Sequence, residues 1–239
     1  MKIVPVDAEL RGSEAFGHIR RAWPEIVFHD AISNAYWGRL YEERREFQFA
    51  LVENGRLLAE GNSMPVAGMP ASWREAMRGG FEGGEPDRLC ALAILVDPDH
   101  QRRGLSRLML EHMRGLAHAR AWELVAPVRP SLKHLYPLTP IERYAEWRRE
   151  DGLLFDPWLR VHERLGAEVL GIALDSLVAE GTVAELEEWT GLRLPESGSY
   201  VVPGALVPVE IDLERDRGIY REPNVWMRHA FSGSPGGEN

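Results

Sequence analysis

Of the chain's 239 residues only one, Cys90, is a cysteine, so no internal disulfide can form, and no His/Cys cluster has metal-ligand spacing. His112 and His118 lie on different faces of any helix that carries them, and no metal is expected. Long apolar runs are also missing: the longest, Leu89 to Val96, is far too short to cross a bilayer. Positive charge is in deficit, with 28 basic against 37 acidic residues and a formal charge of −9. That balance disfavours binding to nucleic acid or an anionic membrane and favours a small-molecule partner. Neither Gly-x-Gly-x-x-Gly nor a Walker Gly-Lys-Ser/Thr follows the buried strand, which excludes those nucleotide-binding turns. No internal repeat or inter-domain linker is found. Met1 to Pro5 starts a strand where a signal peptide would be apolar, and a cytoplasmic protein is expected.

What is present centres on residues 89–106. Leu89 to Val96 is a continuous apolar run that ends at Asp97-Pro98, which describes a strand covered on both faces. Gln101-Arg102-Arg103-Gly104-Leu105-Ser106 then opens a helix whose stripe of Leu105, Leu108, Met109, Met113 and Leu116 can cover the sheet, while Arg107, Glu111, Arg114 and His118 face elsewhere. Arginines suit a helix start poorly, because the exposed N–H groups there already carry partial positive charge. A bound anion resolves the conflict, and the combination describes a phosphate or pyrophosphate cradle. Trp122 to Val128 supplies a second strand, parallel to the first with a right-handed crossover. Cys90, inside the first strand, reads as a small core residue.

Gln101 to Ser106 resembles the Gln/Arg-x-x-Gly-x-Gly/Ala signature of the GNAT superfamily of acyl-CoA-dependent N-acyltransferases, with Ser106 as the only departure. Val161-His162-Glu163-Arg164-Leu165-Gly166-Ala167 is similar to the family's Leu-Tyr-Glu-Lys-Leu-Gly-Phe. The resemblance implies an α/β fold with a central mixed, twisted sheet flanked by helices and an insertion after the strand near 122–128. It also implies acetyl-CoA, or another acyl-CoA, as cosubstrate. By the same resemblance Leu95 and Val96 offer backbone groups to the pantetheine arm, and Gln101, Arg102, Arg103, Gly104, Leu105 and Ser106 hold the phosphates. His162 stands where many members carry a tyrosine that protonates the departing thiolate, and a histidine near neutrality can do that chemistry. The family's frequent asparagine is Phe155 here.

Along the rest of the chain, Lys2 to Val6 predicts a strand, Ser13 to about Ala22 a helix ended by Pro24, and Asp30 to Arg39 or beyond a second helix. Phe47–Val52 and Leu57–Ser63 flank Asn54-Gly55, a strong hairpin signal. Residues 65–86, with Gly79, Gly80, Gly83 and Gly84, read as a mobile surface loop or a substrate-covering lid. A short helix is expected from Ile141 to Glu150. Asp156-Pro157 caps a helix that Gly166 ends, with Trp158, Val161, His162 and Leu165 on its inner face. Thr182 to Glu185 is a capping box for a helix stopping at Gly191. Residues 204–213 and 219–227 suggest a terminal hairpin whose first strand, limited by Pro203 and Pro208, sits at an edge and can support a homodimer. One domain spans 1–231, with insertions at about 65–86, 129–156 and 174–203, and 232–239 form a disordered tail.

The insertion after Val128 begins at the carboxyl end of a parallel strand, where ligands collect in open sheets, so Arg129, Lys133, Tyr136 and Tyr144 are candidates for contact with the acceptor; the alternative is that they anchor the insertion. No carboxylate lies between Leu89 and Val96, so a general base would come from Glu82, Glu85 or Asp87, or an ordered water, and Glu85 is the choice. The function expected is acetyl transfer from acetyl-CoA to an amine of a small molecule by direct attack. Two alternatives stay open: a non-catalytic acyl-CoA sensor, and a related enzyme acting on acyl carrier protein or a malonyl thioester.

Overall fold

In the computed structural model, which describes residues 1–231, strand β1 (Lys2–Pro5) leads through short helices α1 (Ala8–Arg11) and α2 (Glu14–Ile19) to α3 (Ala31–Glu43). Ser13 and Asp30 cap α2 and α3 by accepting hydrogen bonds from the Phe16 and Ser33 amides. Strands β2 (Gln48–Glu53) and β3 (Arg56–Val66) form the expected hairpin. Asn54 and Gly55, with φ of 51° and 79°, make its turn, the left-handed pair that matches strand twist.

The glycine-bearing segment after β3 is a helix, α4 (Trp73–Glu82), capped by Ser72. This corrects the loop reading. Gly80 is there because a Cβ at that position would lie 2.1 Å from Met64 Cγ, so the residue permits close packing of α4 on β3. Burial of Trp73, Ala76 and Met77 outweighs the weak helix propensity of two glycines.

Strand β4 (Arg88–Val96), helix α5 (Leu105–His118) and strand β5 (Glu123–Val128) form the parallel unit. Along α5, Leu110 and Ala117 are buried with Leu105, Met109 and Met113, whereas Leu108 is exposed, so the stripe runs a little to one side of its sequence reading. Helices α6 (Ile141–Ala145) and α7 (Pro157–Arg164) follow; α6 stops well short of Glu150. The long strand β6 (Glu168–Gly181) continues beyond residue 174, where an insertion was expected to start. Helix α8 (Val183–Thr190) has the full capping box and ends at Gly191, φ 69°. Strands β7 (Gly198–Tyr200), β8 (Val209–Asp212) and β9 (Arg217–His229) complete the sheet. Its order is β1-β2-β3-β4-β5-β9-β8-β7, with β6 on the other side of β9. Only β4 and β5 run parallel among these neighbours. β8 therefore lies between β9 and β7, not at the edge. The tail from 232 to 239 lies outside the described residues, and among those described no helix is long and apolar enough to cross a membrane.

Two apolar clusters sandwich the sheet. One joins Leu105, Met109, Met113 and Leu159 to Leu89 and Ala91; the other joins Phe16, Leu40 and Met77 to Cys90, Leu92, Ala93 and Leu95. Within β4 the alternation of faces changes phase at Leu92. Ser63 pairs with Ala91 and Asn62 with Ala93, so Leu92 is an extra residue with no partner on β3. Such a bulge bends its strand and re-aims the side chains beyond it.

Candidate active site

The bulge sits where β4 leaves β5. Their ladder covers only Arg88–Cys90 against Glu123–Val125, and beyond it Ala91–Val96 and Ala126–Val128 form opposite walls of a cavity of about 730 Å³. The Leu92 carbonyl freed by the bulge accepts the Trp73 indole N–H at 3.0 Å. Pro127, which has no N–H to give, lies in the separated part of β5.

One end of the cavity is the turn from β4 to α5. Gln101, Arg102, Gly104, Leu105 and Ser106 line it with Leu95 and Val96. Gly104 occupies the N-cap of α5 with φ 75°, and no side chain caps the helix. A Cβ there would meet nothing within 4 Å, so the glycine is needed for its backbone angle and leaves open space before the first turn. Arg102 is left-handed too, φ 64°. Uncapped amides at the positive end of a helix, with a guanidinium beside them, fit a diphosphate. Arg103 does not line this wall; its guanidinium turns to Glu53 at 3.4 Å. The turn is held from beneath by buried Asp97, which accepts from the Asp99 amide at 2.9 Å and meets His100 Nδ1 at 2.9 Å and Arg56 at 3.3 Å. Burial works against charge on Asp97, but these partners outweigh it and hold the carboxyl below its usual range.

The same cavity is also walled by Trp23, Phe28, Trp37 and Trp73 and carries two buried carboxylates, Glu60 and Glu222. Glu60 stands opposite Leu95 in the β3–β4 register. It accepts a hydrogen bond from the Tyr41 hydroxyl, to which Asn62 also donates at 3.0 Å. Burial pushes the Glu60 carboxyl up from its usual range, against the pull of Tyr41 and Asn62 and of more distant Arg20 and Arg11. No cation contacts it among the described residues. Glu222 differs: Arg129 Nε donates to both its oxygens at 3.0 Å, and the Tyr220 hydroxyl donates at 2.7 Å. Burial opposes charge on Arg129, but Glu222 and Tyr220 prevail and keep its guanidinium firmly protonated.

His162 reaches the same cavity from α7, facing inward as its helix spacing predicts, and is 1% exposed. Its Nδ1 lies 3.0 Å from Nε2 of His229. Burial, with His229 adding to it, lowers the His162 pKa well below the usual imidazole range. The ring is therefore neutral near pH 7, which corrects the expectation of a ready-protonated acid.

Three of the acceptor candidates lie elsewhere. Lys133 is fully buried and donates to the Tyr136 and Leu206 carbonyls at 2.8 and 2.7 Å, its ammonium pushed down by burial to about 8. The Tyr144 hydroxyl donates to Asp156 at 2.9 Å, and both rings, Tyr136 and Tyr144, pack with Trp147 and Phe155. These residues anchor the insertion. Arg129 alone of the four lines the cavity. Glu85 is exposed just before β4, at the end of the strand away from the cavity, and does not line it. Sequence reading missed Glu60 and Glu222. A clue to the first is the polar run Glu60-Gly61-Asn62-Ser63 inside a strand that is otherwise apolar; all four are buried.

Sheet, split strands and glycine turn define an acyltransferase fold of the GNAT type. The chain belongs to the GNAT N-acetyltransferases and is an enzyme of that class: it is 31% identical over 245 residues to the arginine N-acetyltransferase avaD of Aspergillus versicolor, covering 87% of this chain and 84% of that one. No family model matches it. In fold it is similar to the loading GNATL domain of CurA from Lyngbya majuscula, with a TM-score of 0.63, 17% identity and coverage of 96% and 97%. It is also similar to the GphF GNAT-like decarboxylase in complex with isobutyryl-CoA, with a TM-score of 0.61, 18% identity and coverage of 97% and 100%.

Proposed function

We propose that the chain transfers acetyl from acetyl-CoA to a nitrogen of a small cationic acceptor, an amine or a guanidine. The observation that carries this reading is one continuous cavity lined both by the uncapped glycine turn that opens α5 and by aromatic rings and buried carboxylates. The diphosphate would lie on the amides that follow Gly104, with Arg102 beside it, and the pantetheine arm along Leu95 and Val96. Glu60 is the carboxylate without a contacting cation, and it lies beside Leu95 on β3, next to the stretch of β4 along which the pantetheine arm would run. It would attract the acceptor's positive charge and, with its raised affinity for protons, take one from the nitrogen to free the attacking lone pair. The aromatic walls suit a cation as well. The relative's acceptor is named as arginine, which makes guanidine-bearing molecules the first to try.

Release of CoA from acetyl-CoA, followed with a thiol reagent against a panel of arginine, agmatine, lysine, polyamines and neutral amines, tests the reading. Turnover confined to cationic acceptors supports it. Binding of acetyl-CoA with no turnover on any nitrogen, or loss of carbon dioxide from malonyl-CoA without an amine, would replace it with a sensor or a decarboxylase.

A further inference from the structure

Glu60 ends a buried series of side chains whose hydrogen bonds can run in one direction only. Asn62 lies two residues on from Glu60, on the same face of β3, and Gln48 stands opposite it in the β2–β3 register. Tyr41 reaches both Glu60 and Asn62 from α3. All four are at most 5% exposed, and Glu60 alone of them lines the cavity.

The direction is set at Gln48. Its Nε2 lies 2.9 Å from the Arg44 carbonyl and 2.9 Å from the Ser63 carbonyl. Carbonyls only accept, so this atom is the amide nitrogen, and Gln48 Oε1 is left as an acceptor. Asn62 Nδ2 donates to it at 3.2 Å and, with its second hydrogen, to the Tyr41 oxygen at 3.0 Å. Turning the Asn62 amide over would set two acceptor oxygens face to face, and the orientation is kept although it leaves Asn62 Oδ1 buried without a partner. Having accepted from Asn62, the Tyr41 hydroxyl directs its own hydrogen to Glu60 Oε1. Glu60 Oε2 receives no hydrogen from the described residues, yet it is not one of their buried unpartnered atoms. It is therefore the oxygen that keeps open surface where Glu60 lines the cavity.

We propose that Tyr41 is a positioning residue for Glu60: it spends Oε1 on a hydrogen that stays with the tyrosine, so that Glu60 receives the acceptor's proton on Oε2. The proposal rests on the reading of the chain as an N-acetyltransferase with Glu60 as its base. In that step an N–H bond of the cationic acceptor breaks, its electron pair stays on nitrogen as the attacking lone pair, and the proton forms an O–H bond at Oε2. Water takes the proton once the product has left. Burial works against the charged carboxylate, and the Tyr41 hydroxyl opposes burial, as do Arg20, just after α2, and Arg11 of α1, which lies 4.3 Å over the Tyr41 ring. Both arginines stay cationic throughout, and burial and Glu60 hold the Tyr41 hydroxyl above its usual range, so among these groups Glu60 is the one that titrates. Without the hydroxyl it would keep its proton to higher pH and be unable to accept another.

Carbon-13 spectra of the intact chain labelled at its glutamate carboxyls, with Glu60→Gln to assign the signal, read the titration of Glu60 directly. In Tyr41→Phe its midpoint should lie at higher pH than in wild type. On the acid limb kcat/KM at a fixed pH should be about tenfold lower, the scale of one lost hydrogen bond to a charged group, and the two chains should converge as pH rises. A tyrosine that only supports the fold would lower the rate evenly across pH; that result, or an unmoved midpoint, overturns the proposal. A chain grown on fluorinated tyrosine keeps every hydroxyl and makes it a stronger donor, so the Glu60 midpoint should move the opposite way. If the phenylalanine variant does not fold, this second measurement decides, and a midpoint that stays or rises there overturns the proposal too. Midpoints that move as expected in a chain that acetylates no nitrogen would fault the proposed function and leave the hold of Tyr41 on Glu60 standing.

Discussion

Two parts of the cavity lining are built in different ways. The turn at Gln101–Ser106 is made of backbone, from residues adjacent in sequence, and its shape follows from two left-handed angles and an uncapped helix. The aromatic and carboxylate-bearing part is made of side chains from α2, α3, β3, α4, β6 and β9 and the segment between α2 and α3. A backbone site tolerates many side chains provided the angles survive. A side-chain site stands or falls on single groups, and Glu60 and Glu222 show how far such groups can diverge: one carboxylate is neutralised by Arg129, the other is held only by neutral donors.

That contrast breaks most sharply at Glu60. Glu60→Gln preserves shape and should lower kcat by about a hundredfold or more, with little change in the KM for acetyl-CoA; steady-state rates with both substrates varied check it, and an equal rise in both KM values would show that the carboxylate only shapes the chamber. At the glycine turn, Arg102→Glu should raise the Kd for CoA about tenfold, on the scale of one lost charge-assisted contact. Arg103→Glu, whose residue is engaged with Glu53, should raise it less than about threefold by calorimetry. Comparable losses would mean that the cradle uses both guanidinium groups.

The pH dependence sharpens the same difference. A base with a raised pKa stays protonated further up the scale, so the acid limb of kcat/KM should fall above the ordinary carboxylate range and vanish in Glu60→Gln. Stability follows the same sign. A folded-state pKa above the unfolded one gives stability that is complete below the unfolded value and lost as pH rises through the folded one. Thermal melts of wild type should therefore decline relative to Glu60→Gln as pH rises from acid toward neutral. A parallel pair of melting curves would show that burial does not penalise this carboxylate.

The smallest effects are expected outside the cavity. Tyr144→Phe deletes the hydrogen bond to Asp156 and should cost about 1 kcal/mol of stability, roughly 2–4 °C in Tm, while kcat and KM hold. Glu85→Ala should alter neither activity nor melting beyond error. A kinetic defect in either would return these residues to the site.

How much of this was legible in sequence differs between the two parts for the same reason. The strand, the glycine turn and the helix after it are local, and helix caps at Ser13, Asp30, Asp156 and Thr182 stand where short-range hydrogen bonding requires them. The glycines of 79–84 misled because flexibility and close packing leave the same mark in a sequence; at Gly80 it is the contact with Met64 that tells them apart. Lys133, Tyr136 and Tyr144 looked available because their residue types carry chemistry, yet Lys133 and Tyr144 spend it on internal partners.

By itself, then, the sequence determined the elements whose logic spans a few residues: an apolar run, its terminating aspartate and proline, a left-handed glycine, the caps. Tertiary structure decided which titratable groups share a chamber. Glu60 meets β4 through strand register, Leu92 bulges and lets β4 part from β5, and His162 meets His229 across 67 positions of chain. Such meetings depend on the packing of many distant residues at once, and no local pattern encodes them.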